Sequence, residues 1–473
     1  MLNSIVIRHE LSIRDIPDLL NYIRKRVVEP RLHALEELQL TTNNEKGVLK
    51  FSLRKPWDLT VEVKVDRCSV EITCSPRSTM AKYYIDQLLN SIVESVKDFN
   101  GVRGKGTLYL LFTKDMKFKK FKIASLKERI VSKLFSGTLT YLVISFMIIA
   151  ILVLIFGGYA PIILILLHLT LLFFSDNLLL KISEWRLTSR SKNVHIVEIK
   201  TDKHYYPIML SKILSKIGDV KRDIYNNTLK VGKELNEEVI LNVLKTYGVA
   251  VESLDVRVRQ INVYDIVSEV SKGYKISPPK VGIINTVIPN AAAVGVHPGK
   301  SSILVTSGLL AVLSEEEIKG VIAHELSHVK NMDPLVLSSI VITEYILRVY
   351  VVYPRFASIF ESIPILALFY VVFVLLSILM LAKCIEARAD LDASITIGSP
   401  KPLASALKKL GWKRLILEMR NRGLAWFRID PHPPLYFRVE RLSRLGNGML
   451  KVKHTFISSV KECIVEMVKA LTI

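Results

Sequence analysis

The sequence predicts an α+β multi-pass membrane protein with about four transmembrane helices, an N-terminal soluble α/β domain, and a mainly helical C-terminal domain with a small edge-strand sheet. Three observations carry this expectation. Half of the 473 residues are apolar, a high share for a soluble chain. The longest apolar runs gather into two hairpin-like pairs. An H-E-x-x-H motif, His324 to His328, lies on a segment with helical periodicity.

Residues 1–130 read as the soluble α/β domain, with no catalytic constellation. Val48–Leu53, Leu59–Val65 and Ser69–Cys74 are β-rich and partly alternating, with turn signals at Asn43-Asn44 and Asp66-Arg67. From Thr79 to Phe99 apolar residues recur at helical spacing, so a helix follows the strands. The first twenty residues alternate charged and apolar side chains, which is not the pattern of a signal peptide. Cys68, Cys74, Cys384 and Cys463 form no C-x-x-C pair, and a reducing compartment is expected.

Residues 131–180 read as a transmembrane hairpin, Thr138–Phe156 and Pro161–Phe174, turning at Gly157-Gly158. Lysines and arginines crowd both flanks, from Lys117 to Lys133 and from Lys181 to Lys192, and the turn carries none. The positive-inside rule then places both flanks, and with them the N-terminus, in the cytoplasm. This position also makes the lipid bilayer, with its anionic headgroups, the expected partner for a net charge of +21. No nucleic acid is expected, because no recognition motif accompanies the charge. Residues 181–265 read as a mixed α/β connecting region with an amphipathic helix near Glu237–Tyr247.

A second hairpin is predicted at about 334–382, from the runs Pro334–Val352 and Ile363–Ala382. Glu344 and Arg348 interrupt the first run four residues apart on one helix face, where they pair or face a protein-lined cavity.

Ahead of that hairpin, Leu313–Lys330 reads LSEEEIKGVIAHELSHVK. Ser314 and Glu317 form an S-x-x-E capping box, and three glutamates suit the positive end of the helix dipole. On this helix His324 and His328 project from one face, so both imidazoles reach one Zn²⁺. Glu325 is one position round, placed to act as a base without being a ligand. A catalytic zinc takes three protein ligands, and Glu386, just past the last apolar run, is the best third. Asp390 lies one helical turn on, where it could hydrogen-bond the outer nitrogen of His324 or His328.

These motifs resemble the HtpX-like membrane metalloproteases, related to the CAAX prenyl endopeptidases. The resemblance rests on PPKVGIINTVIPNAAAVGV (Pro278–Val296), ILVTSGLLAVLSEEEIKGVIAHELSHVKNMD (Ile303–Asp333), EARAD (Glu386–Asp390) and HPPLYFRVERL (His432–Leu442). It implies a zincin-type metalloprotease domain over residues 266–473 and one Zn²⁺ per subunit, held by His324, His328 and Glu386 with Glu325 as general base. It also implies a substrate-binding edge strand at Asn290, Ala291 and Ala292, with Arg438 at the substrate. His432 would lie near the metal, either as a resting-state ligand or as an oxyanion donor. Three positions depart from the family pattern: Ala387 and Ala292, where aromatics are usual, and Met332, where an arginine is common.

The expected activity is a zinc-dependent endopeptidase at the cytoplasmic face of the cell membrane. Polypeptides are the substrates, damaged or misassembled membrane proteins among them. The alternatives are a non-catalytic zinc-binding membrane scaffold and an intramembrane protease. The charges Glu315–Glu317, Lys319 and Lys330 on the motif helix weigh against the latter.

Overall fold

The computed structural model describes residues 4–116 and 151–472, except 10, 12–14, 44–45, 67–68, 79–80, 104, 115, 153, 253, 446–451 and 453. In chain order the elements are β1 (Ser4–Arg8), α1 (Ile16–Ile23), β2 (Leu35–Thr42), β3 (Gly47–Leu53), β4 (Leu59–Val65), β5 (Ser69–Pro76), α2 (Lys82–Arg103) and β6 (Lys105–Thr113). Next come α3 (Ala160–Ile182), β7 (Trp185–Leu187), β8 (Val194–Asp202), α4 (Tyr206–Ile213), α5 (Ile217–Asn227), α6 (Glu237–Thr246), β9 (Asp255–Ile261) and α7 (Val263–Tyr274). Then follow β10 (Lys280–Ile284), β11 (Ala291–His297), β12 (Lys300–Thr306), α8 (Ser307–Val312), α9 (Glu315–Lys330), α10 (Asp333–Leu347) and α11 (Tyr353–Ser362). The last are α12 (Pro364–Ile397), α13 (Lys401–Arg420), α14 (Arg422–Trp426), α15 (Leu435–Arg444) and α16 (Thr455–Leu471).

One compact unit comprises residues 1–121, 193–261 and 407–417. It holds an antiparallel sheet in the order β1-β5-β4-β3-β2. Alternation puts Leu49, Phe51 and Leu53, Val61 and Val63, and Ile72 and Cys74 in the core, where α1 and α2 cover them. The predicted strands and the helix after them are all present. A second sheet, β6-β8-β9, gathers the segment expected to be connecting structure into a folded layer. Helices α4, α5 and α6 bury Met209, Val220, Ile224, Ile240 and Leu244 against it, and Asn236 caps α6 through the amide of Val239.

The other unit comprises residues 122–192, 262–406 and 418–473. Its sheet runs β11-β12-β10-β7, with β10 parallel to β12 and the other pairs antiparallel, so β11 is an edge strand. Helix α9 packs on β11, α7 and the second half of α12. The tyrosine hydroxyl of Tyr274 on α7 donates to the carbonyl of Ala323 at 2.9 Å.

Among the described residues three helical stretches are long and apolar enough to cross a membrane: Leu154–Leu178, Asp333–Ser362 and Pro364–Ile397. The first arm of the predicted N-terminal hairpin lies outside the described residues except for its last few, and the other three expected spans fall on these three helical stretches. Gly157 takes φ 53° at the turn before α3, a conformation that glycine adopts without strain. Glu344 and Arg348 do pair, at 3.3 Å, and the hydroxyl of Tyr370 on α12 approaches Glu344 at 3.4 Å. The apolar part of α12 ends near Ala382, and the same helix continues without a break as a buried element through Ser394.

Helix α9 can approach the first turn of α13 closely only because residue 320 is glycine. A Cβ there would stand 2.9 Å from the backbone nitrogen of Leu403 and 3.1 Å from its Cα. In an open helix Gly→Ala gains up to about 1 kcal/mol, but overpacking of this kind costs about 1–3 kcal/mol. Gly320→Ala is therefore expected to lower the thermal unfolding midpoint of the protein in detergent. An unchanged or raised midpoint would show that the two backbones are not in contact.

Candidate metal centre

The centre is built on α9, whose start is fixed by its own sequence. Ser314 Oγ accepts from the Glu317 amide at 3.3 Å, and the Glu317 carboxylate accepts from the Ser314 amide at 2.9 Å. Glu317 also accepts from the Ser405 hydroxyl at 2.6 Å, which ties the cap to α13. From this anchored end the helix carries Ile318, Ile322 and Leu326 into the core and turns His324 and His328 toward α12.

Glu386 on α12 completes a triangle. His324 Nε2 lies 3.4 Å from His328 Nε2 and 3.3 Å from Glu386 Oε2, and His328 Nε2 lies 3.4 Å from Glu386 Oε1. Four ligands at roughly 2.0–2.1 Å in a tetrahedron are separated by about 3.3 Å along each edge, so the three donors fit a zinc-sized ion. The two imidazole nitrogens face each other, and a buried Glu386 oxygen lacks a well-aligned donor among the described residues. A cation between them would satisfy all three. Burial alone would push the His324 imidazole down; its contacts with Asp390 and Glu386 outweigh that and hold it at about 10 without a metal.

The outer nitrogens are held by carboxylates, each with an arginine behind it. Asp390 Oδ1 lies 2.9 Å from His324 Nδ1, and Arg438 donates to Asp390 through Nε at 2.8 Å and Nη2 at 2.6 Å. Burial would lower Arg438, but the Asp390 charge keeps it above the ordinary guanidinium range. Asp333, the first residue of α10, pairs with His328 Nδ1 at 2.7 Å and takes an ion pair from Arg388. Beneath them Asp392 accepts from the Ser327 hydroxyl at 2.9 Å and from the Asn331 amide at 3.2 Å. These contacts orient both rings so that each Nε2 points to the centre.

Glu325 leaves the triangle and turns to the edge strand. The backbone amide of Ala293 on β11 donates to Glu325 Oε2 at 3.0 Å. The Ala291 amide donates to the Asn290 side chain at 2.9 Å, and Asn290 is itself tied to Thr306 through its own amide at 2.8 Å. Ala292 pairs with Leu304 in the ladder. The outward amides of β11 thus meet side chains, one of them the expected base. His432 stands in the loop before α15, Nε2 at 3.6 Å from Glu386 Oε2 and Nδ1 at 2.9 Å from Asp430. The Glu418 carboxylate receives the amides of Leu435 and Tyr436 and fixes the start of α15 behind that loop.

Residues 258–445 match the profile of Peptidase family M48. A "Protease HtpX homolog" of Pyrococcus abyssi is 30% identical over 211 residues, spanning 39% of this chain and 73% of that protein. The chain belongs to peptidase family M48. A second "Protease HtpX homolog", from Campylobacter concisus, is 34% identical over 159 residues, 31% of this chain and 55% of that protein. The M48 match takes in every residue of the centre and leaves residues 1–257 outside it. Membership of this metalloprotease family and the His-His-Glu triangle agree that a metal is the cofactor.

The structure brings His324, His328, Glu386, Asp390 and His432 together, while Glu325, next to His324 on α9, turns its carboxylate to the Ala293 amide. Arg438, expected at the substrate, is buried and spends its guanidinium on Asp390. Asp333 and Arg388 were not singled out from sequence. The available signal was an aspartate five residues past His328, in a turn that must supply a partner for that imidazole.

Two outcomes follow for this M48 centre. Asp333→Ala is expected to weaken zinc binding by about 10–100-fold, because His328 loses its orienting carboxylate. Competition with a chromogenic chelator measures this, and an unaltered affinity would remove Asp333 from the centre. Because His324 holds a proton up to about 10, binding a metal must displace it. Affinity should therefore rise with pH, and calorimetry in buffers of differing ionisation enthalpy should register proton release on metal binding; release of no proton would overturn this reading of His324.

Proposed function

We propose that this membrane metalloprotease is a zinc-dependent endopeptidase that hydrolyses peptide bonds at the cytoplasmic face of the cell membrane. The observation that carries the reading is the combination of a three-donor triangle of zinc dimensions with a base held 3.0 Å from an edge-strand amide. His324, His328 and Glu386 would hold the ion, leaving one side of the triangle for the reaction. When bound, zinc supplies Lewis-acid polarisation of the peptide carbonyl.

The chain's own residues supply the rest. An extended substrate adds to β11 as a further strand by taking over the outward amides that Asn290 and Glu325 otherwise occupy. This frees the Glu325 carboxylate and lets backbone pairing rather than side-chain identity present the bond. Glu325 takes a proton from the attacking water and passes it to the leaving amine. His432 gives Nδ1–H to Asp430, which leaves Nε2 facing the ligands. Carrying a proton, Nε2 donates to the oxyanion; without one, it is a further ligand at rest. Arg438 acts through Asp390, which it holds against His324. The basic stretches beside the N-terminal apolar runs support the cytoplasmic side. Membrane proteins that have lost their assembly present unpaired segments of this kind, which supports a role in quality control.

Glu325→Gln is expected to keep its metal while cleavage of a casein or membrane-protein substrate falls to background. Normal turnover in that variant would reject Glu325 as the base. Glu386→Ala should lose the metal itself, and elemental analysis showing a full complement of zinc would remove it from the ligand set. A scaffold that holds zinc only structurally would leave both variants without a proteolytic phenotype.

A further inference from the structure

We infer that the segment Leu424–Ile429 and the last two turns of α16 form a second, non-spanning contact with the bilayer, seated in its interfacial layer beside the active site. The inference rests on reading α12 as a membrane span.

The level of the membrane surface is marked in this unit by three buried charged residues where apolar stretches end: Asp176 on α3, Asp333 on α10 and Lys383 on α12. Lys383 spends its ammonium group on a neighbouring loop, donating to the carbonyl of Trp426 at 2.6 Å and to that of Arg428 at 3.1 Å. That loop is therefore fixed at the depth where α12 leaves its apolar stretch. There it exposes Leu424 (70%), Phe427 (48%) and Ile429 (55%).

Helix α16 reaches the same depth and goes past it. Arg441 links the Ser459 hydroxyl to the carbonyl of Ala387, and Cys463 meets Cys384. As α16 advances, its partners on α12 recede toward the apolar end, so the two helices run antiparallel. At 1.5 Å per residue, Leu471 lies roughly 12 Å beyond Cys463, level with the exposed apolar part of α12. The Ala470 carbonyl stands 2.9 Å from where a Cβ on Gly423 would be, which joins this end to the Leu424 loop. Ile464, Val468 and Leu471 are each about half exposed and share one stripe, spaced four and three residues apart.

Water is a poor solvent for such a contiguous apolar surface, and the lipid that surrounds α12 is continuous with it. Arg428, Lys461 and Lys469 are exposed around it, as suits anionic headgroups, and their stems allow the charges to snorkel outward. The loop that bears His432 begins immediately after Ile429. The contact therefore holds one wall of the active site against the membrane surface, where chain emerging from lipid would arrive.

The test uses the full-length protein in nanodiscs of phosphatidylcholine with one-fifth phosphatidylglycerol. Spin labels are placed on Phe427→Cys and Val468→Cys in a Cys68→Ser background. Phe373→Cys, within the α12 span, and Lys401→Cys, on the surface, serve as references. Collision with oxygen and with an aqueous nickel chelate reports depth. The expected result is oxygen access above nickel access at both positions, with a depth between the two references. Nickel access equal to that at Lys401 would overturn the inference, as would suppression of both collisions, which means that another protein surface covers the patch. Nickel reaching Phe373 would instead show that α12 does not span, and would distinguish failure of that reading from failure of this one.

Discussion

The pairing of α9 with the second half of α12 is the constraint on which the rest of the structure depends. It brings two histidines and a glutamate into a largely buried cleft, where each would be costly to desolvate alone. The surroundings answer this cost with matched charges. Asp390 is answered by Arg438, and Asp333 by Arg388, so each metal-facing imidazole has a carboxylate and each carboxylate has a guanidinium. Removing one member would leave another buried and unpaired, which is more damaging than losing the attraction between them. The centre is therefore a balanced network, and the His-His-Glu triangle is only its innermost part.

Much of this was legible because it is local. The capping box, the helical spacing of His324 and His328, and the apolar repeat of α9 are all signals within one or two turns. The same is true of the strands β3, β4 and β5, where alternation is clean. Glu386 was legible for a different reason: an apolar hairpin must return the chain to the side it left, so an acidic residue at its end is brought back toward the motif.

What escaped the sequence depends on partners far along the chain. The pairing of Arg438 with Asp390 carries no local mark, since it is made across 48 residues. Asp333 is bordered by Pro334 and an apolar run, and nothing in that local pattern marks it as the partner of His328 and Arg388. The β6-β8-β9 sheet pairs strands on either side of the N-terminal apolar segment, so although residues 181–265 read as mixed α/β, no local signal shows that β8 pairs with β6. Short-range chemistry announces itself in a sequence; long-range charge pairing and strand pairing do not.

Helix α12 has a mechanical consequence as well as a chemical one. After Pro364 it contains neither glycine nor proline through Ile397, so it lacks the usual means of bending. Glu386 sits 22 residues along it, roughly 33 Å from its start. A stiff rod of that length works as a lever. A change in tilt of about 5°, of the kind that bilayer thickness imposes, displaces the far end by roughly 3 Å unless its packing against α9 resists. The thickness of the lipid and the position of the Glu386 carboxylate are thus two ends of one rigid body.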